Sequence, residues 1–283
     1  MSRAVLALSL LLSLGPAEAR ACASCGYGDP TLTVLGAEQP FAGRLRFATE
    51  LRYRWDELGD HGEGVELHEV QLMATSAWAP SDWLVLSAGM PLVVRHVRFA
   101  NLAHVTVVGP GDAELRARAV LLRDRAFAPE HTLGVSAGVE LPTSIDQLGP
   151  DGTLLPYEAQ TGTGTLDALL GLVYAHFADP WSLFTSMTVV LPTIARYDEA
   201  PGPSLRSTFA VQYRADRHVT MRGGVDLRWD APARIEERTD PTTDQLVVFL
   251  APDLLWSPVT DVTLVLGLRV PVLQVTERAR SEG

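Results

Sequence analysis

The chain has 283 residues, a formal net charge of −11 and 47% hydrophobic residues, and its length suits one all-β domain or two smaller domains. The acidic balance argues against nucleic acid as a partner, because phosphate binding needs a basic surface. The sequence contains no lysine, which excludes Schiff-base chemistry and the lysine of a phosphate-binding Walker loop. Two cysteines are too few for a disulfide scaffold or a four-thiolate zinc site.

The N-terminus has the three parts of a secretory signal peptide. Arg3 precedes an apolar stretch from Ala4 to Leu14, and small residues from Ala17 to Ala21 fit a cleavage site. The apolar stretch is shorter than the roughly 20 residues that a membrane-spanning helix needs. We therefore expect a signal peptide at residues 1–21, an N-terminal segment at 22–42 and one domain at 43–283.

Both cysteines, Cys22 and Cys25, follow the expected cleavage point. Export to an oxidising compartment favours a disulfide between them. A redox centre would need a βαβ context, which does not follow, and a haem site would need histidine where Gly26 stands. Lipidation of Cys22 is an alternative with a poor motif before it.

Residues 44–55 alternate between an apolar and a charged face, which is typical of a β-strand. About eleven such segments of ten or more residues recur, whereas strands of soluble proteins usually have about five or six. A tilted strand that crosses a bilayer needs about 9–11 residues. The segments are 44–55, 66–78, 83–94, 112–122, 131–142, 164–177, 181–192, 205–214, 219–230, 245–256 and 262–272.

The connections between these segments alternate between short and long, as in outer-membrane barrels with short periplasmic turns and longer extracellular loops. Tryptophans lie at the strand ends, where aromatic girdles meet the bilayer interfaces, although core packing in a sandwich is the alternative. Together these patterns predict an all-β fold, a transmembrane antiparallel β-barrel of about 12 strands in the cell outer membrane. The tryptophans are Trp55, Trp78, Trp83, Trp181, Trp229 and Trp256.

Four motifs follow one another in the middle of the chain. They are Gly109-Pro110-Gly111-Asp112, Leu141-Pro142-Thr143, the stretch from Gly162 to Asp167, and Leu191-Pro192-Thr193. Their order resembles that of outer-membrane barrels of the phenol-degradation-pathway (MetA-type) transporter-like family. The resemblance implies a barrel of about twelve strands with a role in the uptake of small, often aromatic or hydrophobic, compounds.

The strand count leaves one question open. Eleven strands is an odd number, and bacterial single-chain barrels have even numbers. Residues Thr31 to Leu35 could supply a twelfth strand, or the chain could lack a last strand at its C-terminus.

The charged strand face predicts the lining of a lumen. Arginines outnumber acids there, which favours a mild anion preference, and we expect the excess acid in loops, as in Asp56-Glu57. An internal salt-bridge network that plugs the barrel is an equal alternative to a solute path. The candidate lining residues are Arg44, Arg46, Glu50, Arg52, Arg54, Asp112, Glu114, Arg116, Arg118, Arg222, Asp226, Arg228 and Arg269. Further residues of this face are Glu69, Glu140, Asp167 and Arg214.

The predicted function is a passive channel or transporter for small solutes, with aromatic or anionic compounds as candidates. The expected partners are outer-membrane lipid and small-molecule solutes, and we expect no catalytic residue, metal or cofactor. The alternatives are a non-transporting barrel that scaffolds a periplasmic partner and a barrel enzyme that acts on lipid. The enzyme would need a Ser–His pair near the outer rim.

Overall fold

The computed structural model describes residues 41–58, 65–99, 101, 103–194, 199–235, 238–240 and 243–276. The signal peptide, Cys22, Cys25 and the candidate twelfth strand at Thr31 to Leu35 lie outside these residues. Within the described ranges, no helix has the length and apolar character needed to span a membrane.

Strands make up most of the described chain. In order they are β1 (Leu45–Leu58), β2 (Val65–Trp78), β3 (Leu84–Arg98), β4 (His104–Pro110), β5 (Ala113–Arg123), β6 (His131–Leu141), β7 (Leu166–Ala178), β8 (Trp181–Ile194), β9 (Glu199–Ala200), β10 (Ser204–Arg214), β11 (Val219–Asp230), β12 (Ala233–Ile235), β13 (Arg238–Asp240), β14 (Gln245–Val259), β15 (Val262–Gly267) and β16 (Val270–Thr276). One 3₁₀ turn, Tyr157–Ala159, lies between β6 and β7.

Thirteen of these strands form one antiparallel sheet in which sequential neighbours pair. Strands β4 and β5 both pair with β3, one after the other along its length, and β15 and β16 pair with β14 in the same way. The described part of the sheet therefore has eleven rows, in the order β1-β2-β3-β4/β5-β6-β7-β8-β10-β11-β14-β15/β16. The predicted all-β antiparallel fold is confirmed.

The sheet curls so that its first and last rows approach each other. Arg44, just before β1, forms an ion pair of 3.5 Å with Asp261 in the turn between β14 and β15. Among the described residues, no ladder of backbone hydrogen bonds joins β1 to β15 or β16.

Alternation along the strands separates a concave face from a convex face. In β1, Leu51 and Tyr53 are 72% and 67% exposed on the convex face, whereas Arg54 and Asp56 are 8% and 7% exposed on the concave face. The period of two places neighbouring side chains on opposite faces. Here the charged side chains are the buried ones, the reverse of an ordinary soluble sheet.

Two connections differ from the sequence prediction. Residues 95–110 were expected to form a long loop, but β3 continues to Arg98 and β4 returns along it. Short runs of β-branched residues, such as Val105 to Val108, favour the strand conformation in this extension. In addition, β9, β12 and β13 form a small three-stranded sheet within connections that were predicted only as long.

Candidate functional site

The concave face holds the charged residues that the sequence predicts as a lumen lining. All thirteen candidates, from Arg44 to Arg269, are buried or half-buried. Convex residues such as Leu51, Tyr53 and Leu115, which lie between them in the sequence, are exposed. Their role as a solute path stays a prediction.

One ion-pair network joins the first three strands on this face. Arg54 Nε lies 2.9 Å from Asp56 Oδ2, and Arg54 Nη2 lies 3.6 Å from Glu69 Oε2. Arg95 Nε of β3 donates to the same Glu69 oxygen at 2.8 Å. Because these four side chains are at most 10% exposed, loss of one partner would leave a buried charge uncompensated, at a cost of about 3–5 kcal/mol.

A second network joins the last four rows of the sheet. Asp253 of β14 accepts from Arg222 Nε at 2.8 Å and from Arg269 Nη1 at 2.8 Å. Arg269 Nε also lies 2.9 Å from Asp226, and Thr208 donates to that carboxylate at 2.8 Å. The network links β10 and β11 to the break between β15 and β16.

Local pairs along single strands hold further arginines. Each arginine binds the carboxylate two residues away, on the same face of its strand. The pairs are Arg52–Glu50 at 2.7 Å, Arg116–Glu114 at 2.9 Å and Arg228–Asp230 at 2.6 Å.

Two assignments made from the sequence are wrong. Asp56, expected in a solvated loop, is buried because β1 extends to Leu58 and Arg54 pairs with it. Arg214, expected on the charged face, has 55% of its side chain exposed and pairs with Asp179 beside the short turns. Arg214 ends its strand, so the alternation no longer decides its direction.

Three charged residues of the concave face were not predicted from the sequence: Arg95, Asp253 and Arg206. Arg95 has the parity of the concave residues Val93 and Val97, so alternation could have found it. Asp253 could not be assigned as readily because its neighbours on the concave face, Phe249 and Ala251, are apolar.

Asp112 does not face the lumen as a free charge. Its Oδ1 accepts from the Ser144 backbone N–H at 3.0 Å, and its Oδ2 accepts from Thr163 Oγ1 at 3.1 Å and the Gly164 N–H at 3.0 Å. Asp112 thereby fixes both ends of the connection between β6 and β7. We call residues 142–165 the inner loop.

The family-like motifs meet at this point. Thr143 Oγ1 donates to the Gly111 carbonyl at 3.1 Å, and the Ala113 N–H donates to Thr143 Oγ1 at 2.9 Å. Gly164 has a φ of +65°, and a Cβ at Gly162 would collide with the Asp112 carboxylate. The glycines therefore allow the loop backbone to approach the carboxylate closely.

The inner loop packs on the concave face of β2 and β3. Ala159 of the 3₁₀ turn is fully buried against Leu67 and Val97. Arg95 Nη1 donates to the Glu158 carbonyl at 2.9 Å. Gln160, which is 1% exposed, accepts from the Gln147 N–H at 2.9 Å and donates to the Leu155 carbonyl at 2.8 Å within the loop. The loop is thus held by side chains of the sheet and by the side-chain amide of Gln160 within the loop.

Part of the concave face is apolar. The apolar residues come from β7, β8 and β14, are at most 8% exposed, and were not predicted from the sequence. They are Leu169, Val173, Ala175, Phe184, Val190, Val247, Phe249 and Ala251. The interior therefore has one apolar patch on β7 and β8 and another on β14, with the polar and charged residues of β10 and β11 between them.

The convex face is an exposed apolar surface with aromatic side chains near both rims. Trp78, Trp83, Trp181 and Trp256 lie beside the short turns and are 48–53% exposed. Trp55 and Trp229 lie towards the long connections. Exposed leucines between these levels include Leu72, Leu92, Leu115, Leu170, Leu172, Leu250, Leu254 and Leu264. Soluble monomers rarely expose an apolar surface of this extent.

In the described strands, the histidine side chains form hydrogen bonds with groups other than the serine hydroxyl that a Ser–His pair would need. His68 and His131 bind Tyr53 and Tyr174, while His96 binds the Thr106 hydroxyl. Within the described ranges, no group of three or more His, Cys, Asp or Glu is placed to hold a metal ion.

Comparison with known proteins identifies a structural relative. No family model matches the chain, and no curated protein matches it. The crystal structure of an outer membrane channel from Pseudomonas putida F1 is similar, with a TM-score of 0.66 and 14% identity over 84% of this chain and 91% of that chain. At this identity the likeness concerns the fold alone: the curled antiparallel sheet resembles the sheet of that channel.

Proposed function

We propose that the protein is an outer-membrane β-barrel that passes small solutes passively along its concave face. The observation that carries this proposal is the inversion of the sheet, with charged residues buried on the concave face and leucines exposed on the convex face. A bilayer stabilises such a convex face, because lipid solvates leucine as well as a protein core does.

Strand length and aromatic placement support the bilayer part of the proposal. The long strands have 11–15 residues, enough to cross hydrocarbon when tilted. The exposed tryptophans near both rims fit the headgroup levels. The relative of similar fold is itself described as an outer membrane channel. We further propose export through the signal peptide at residues 1–21 and a disulfide between Cys22 and Cys25.

The composition of the concave face supports a narrow path for small solutes. Carboxylates in direct ion pairs neutralise most of the arginine charge, so we propose only a mild anion preference. The apolar patches around Phe184 and around Phe249 offer contact for the apolar part of an aromatic solute. The inner loop narrows this path where it covers β2 and β3.

A second candidate is a non-transporting barrel that scaffolds a periplasmic partner. The buried ion-pair networks and the packed inner loop favour it, because both fill the concave side. An enzyme of the barrel class has no comparable support, and the relative of similar fold is described as a channel.

Planar-bilayer recording of the refolded full-length protein distinguishes the two candidates. Discrete conductance steps that vary with ion type are expected for the solute path. A protein that inserts, as judged by heat-modifiable migration, and yet gives no steps would favour the scaffold.

A further inference from the structure

Among the described residues, three charged side chains on the concave face take part in no direct ion pair and have few or no hydrogen bonds. Arg206 Nε is buried without a hydrogen-bond partner. Asp167 is 4% exposed, and its Oδ1 has no partner. Glu140 takes part in no hydrogen bond or ion pair within the described part of the chain. Such charges are costly in a protein interior unless a solvent or solute group completes them.

The sheet register brings the three side chains to one level. Glu140 and Asp167 are direct partners on β6 and β7. Arg206 pairs with Thr188, and Thr188 pairs with Gly171, four positions along β7 from Asp167. Strand tilt of about 35–45° displaces positions of equal height by about one residue per row. Arg269 shows the direction of this displacement, because it binds Asp253, the partner of Arg222, and also Asp226, four positions further along β11. In the same direction, the displacement over the three rows from β6 to β10 brings Arg206 to about the level of Glu140.

The electrostatic interactions agree with this placement. Arg206 interacts with both Glu140 and Asp167 without touching either, since no ion pair joins them. Its partner across the β10–β11 ladder is Arg228, which Asp230 already binds. Two acidic residues on β6 and β7 thus face Arg206 on β10 without an ion pair between them.

We propose that Glu140, Asp167 and Arg206 form a binding site for a small zwitterion that carries both an ammonium and a carboxylate group. The proposal rests on the proposed passage of solutes and specifies one solute class for it. The guanidinium of Arg206 offers a fork of donors to a carboxylate. The two carboxylates accept from an ammonium group, which has three donors and no acceptor.

This arrangement discriminates against singly charged solutes. An anion at Arg206 would leave the Glu140–Asp167 pair uncompensated, and a cation at the carboxylates would leave Arg206 uncompensated. A zwitterion pairs with the arginine and with the carboxylates at the same time, and it brings no net charge into the interior. We therefore expect preference for the zwitterion over an anion or a cation of equal length.

The test compares 4-aminobutyric acid with butyric acid and butylamine, using full-length protein in detergent and titration calorimetry. We expect 4-aminobutyric acid to bind with a Kd about tenfold lower than either ion, the effect of one additional charge-assisted contact. Arg206→Gln and Glu140→Gln should each remove this advantage. Arg206→Lys, which keeps the charge and loses the fork, should retain part of it.

Matched controls lie in the short turn between β5 and β6. Arg125 and Glu130 form an exposed ion pair of 2.9 Å, so Arg125→Gln and Glu130→Gln should leave the preference unchanged. Equal binding of the three solutes by the wild-type protein, or no binding at all, would overturn the inference. So would an undiminished preference in a folded Arg206→Gln protein.

Bilayer conductance separates this inference from the proposed function. Conductance steps without zwitterion preference would overturn the site and leave the path intact. Zwitterion preference in a protein without conductance would support the site and contradict passage.

Discussion

At the residue scale, the arginines of the concave face are mostly members of pairs. Alternation in the sequence correctly placed residues such as Arg52 and Arg222 on a shared face, because the strand period is two. Alternation does not reveal partners, since these depend on the register between strands, as for Arg222 with Asp253. The pairing reduces the positive field that a count of arginines alone would suggest.

The Arg52–Glu50 pair allows a prediction about ion selectivity. Arg52→Gln removes a positive charge and leaves Glu50 without its partner at 2.7 Å, so the reversal potential in a salt gradient should shift towards cation preference. Arg125→Gln, in an exposed turn, is the control and should not shift it. An unchanged reversal potential in Arg52→Gln would show that this pair lies off the ion path.

The hydrogen bonds of Asp112 allow a prediction about the stability of the inner loop. Its carboxylate accepts three hydrogen bonds from the two ends of the loop, and an amide at this position cannot accept all of them. Asp112→Asn should destabilise the attached loop by about 1–3 kcal/mol and raise both single-channel conductance and cleavage of the loop by protease.

The matched control for Asp112 is Asp151→Asn in the same loop. Asp151 accepts only from Thr153, on an exposed surface, so conductance should stay at the wild-type value. If Asp112→Asn behaved like this control in both assays, the carboxylate would not hold the loop in place.

At the element scale, the strands were predictable and some connections were not. Long alternating segments identified β1, β5 and β11 to within a few residues, because one face of each is apolar throughout. The inner loop could not be predicted, because its fold depends on contacts with Asp112 and Arg95 from distant strands. Its motifs were visible in the sequence, although their hydrogen bonds to one another were not.

Strand β5 provides a prediction about the convex face. Leu115 of β5 is 46% exposed. Leu115→Arg should cost about 2–4 kcal/mol of folding free energy in a bilayer if this position is near the midplane. Leu266→Arg in β15 should have a similar effect. Denaturant titration of refolding into vesicles measures both costs.

Leu122→Arg in the same strand is the control. Leu122 is 64% exposed and lies next to the short turn, where the cost of arginine falls to about 0–1 kcal/mol at an interface. Equal costs at Leu115 and Leu122 would argue that lipid does not cover the convex face in a depth-dependent way.

At the scale of the whole molecule, the curled sheet combines an apolar outside with a charged inside. The ion pair between Arg44 and Asp261 shows that the two edges of the described sheet come close together. The strand alternation in the sequence was sufficient to predict this class of fold. The apolar patches of the interior were not predicted, because a strand that is apolar on both faces, such as the stretch from Val247 to Ala251, has no clear alternation.

Location is the simplest whole-molecule prediction. The protein should fractionate with outer membranes, and unheated samples should migrate differently from boiled samples on a denaturing gel, because barrels resist unfolding by detergent. Recovery of the mature protein only from the soluble periplasmic fraction would contradict the assignment of the convex face to lipid.

The most direct test of the central claim is single-channel recording of the refolded wild-type protein in a planar bilayer. The claim is that the charged concave face forms a continuous path for small solutes. We predict discrete conductance steps with mild anion preference, and larger steps in Asp112→Asn. A correctly inserted protein that gave no steps, either as wild type or as Asp112→Asn, would contradict it.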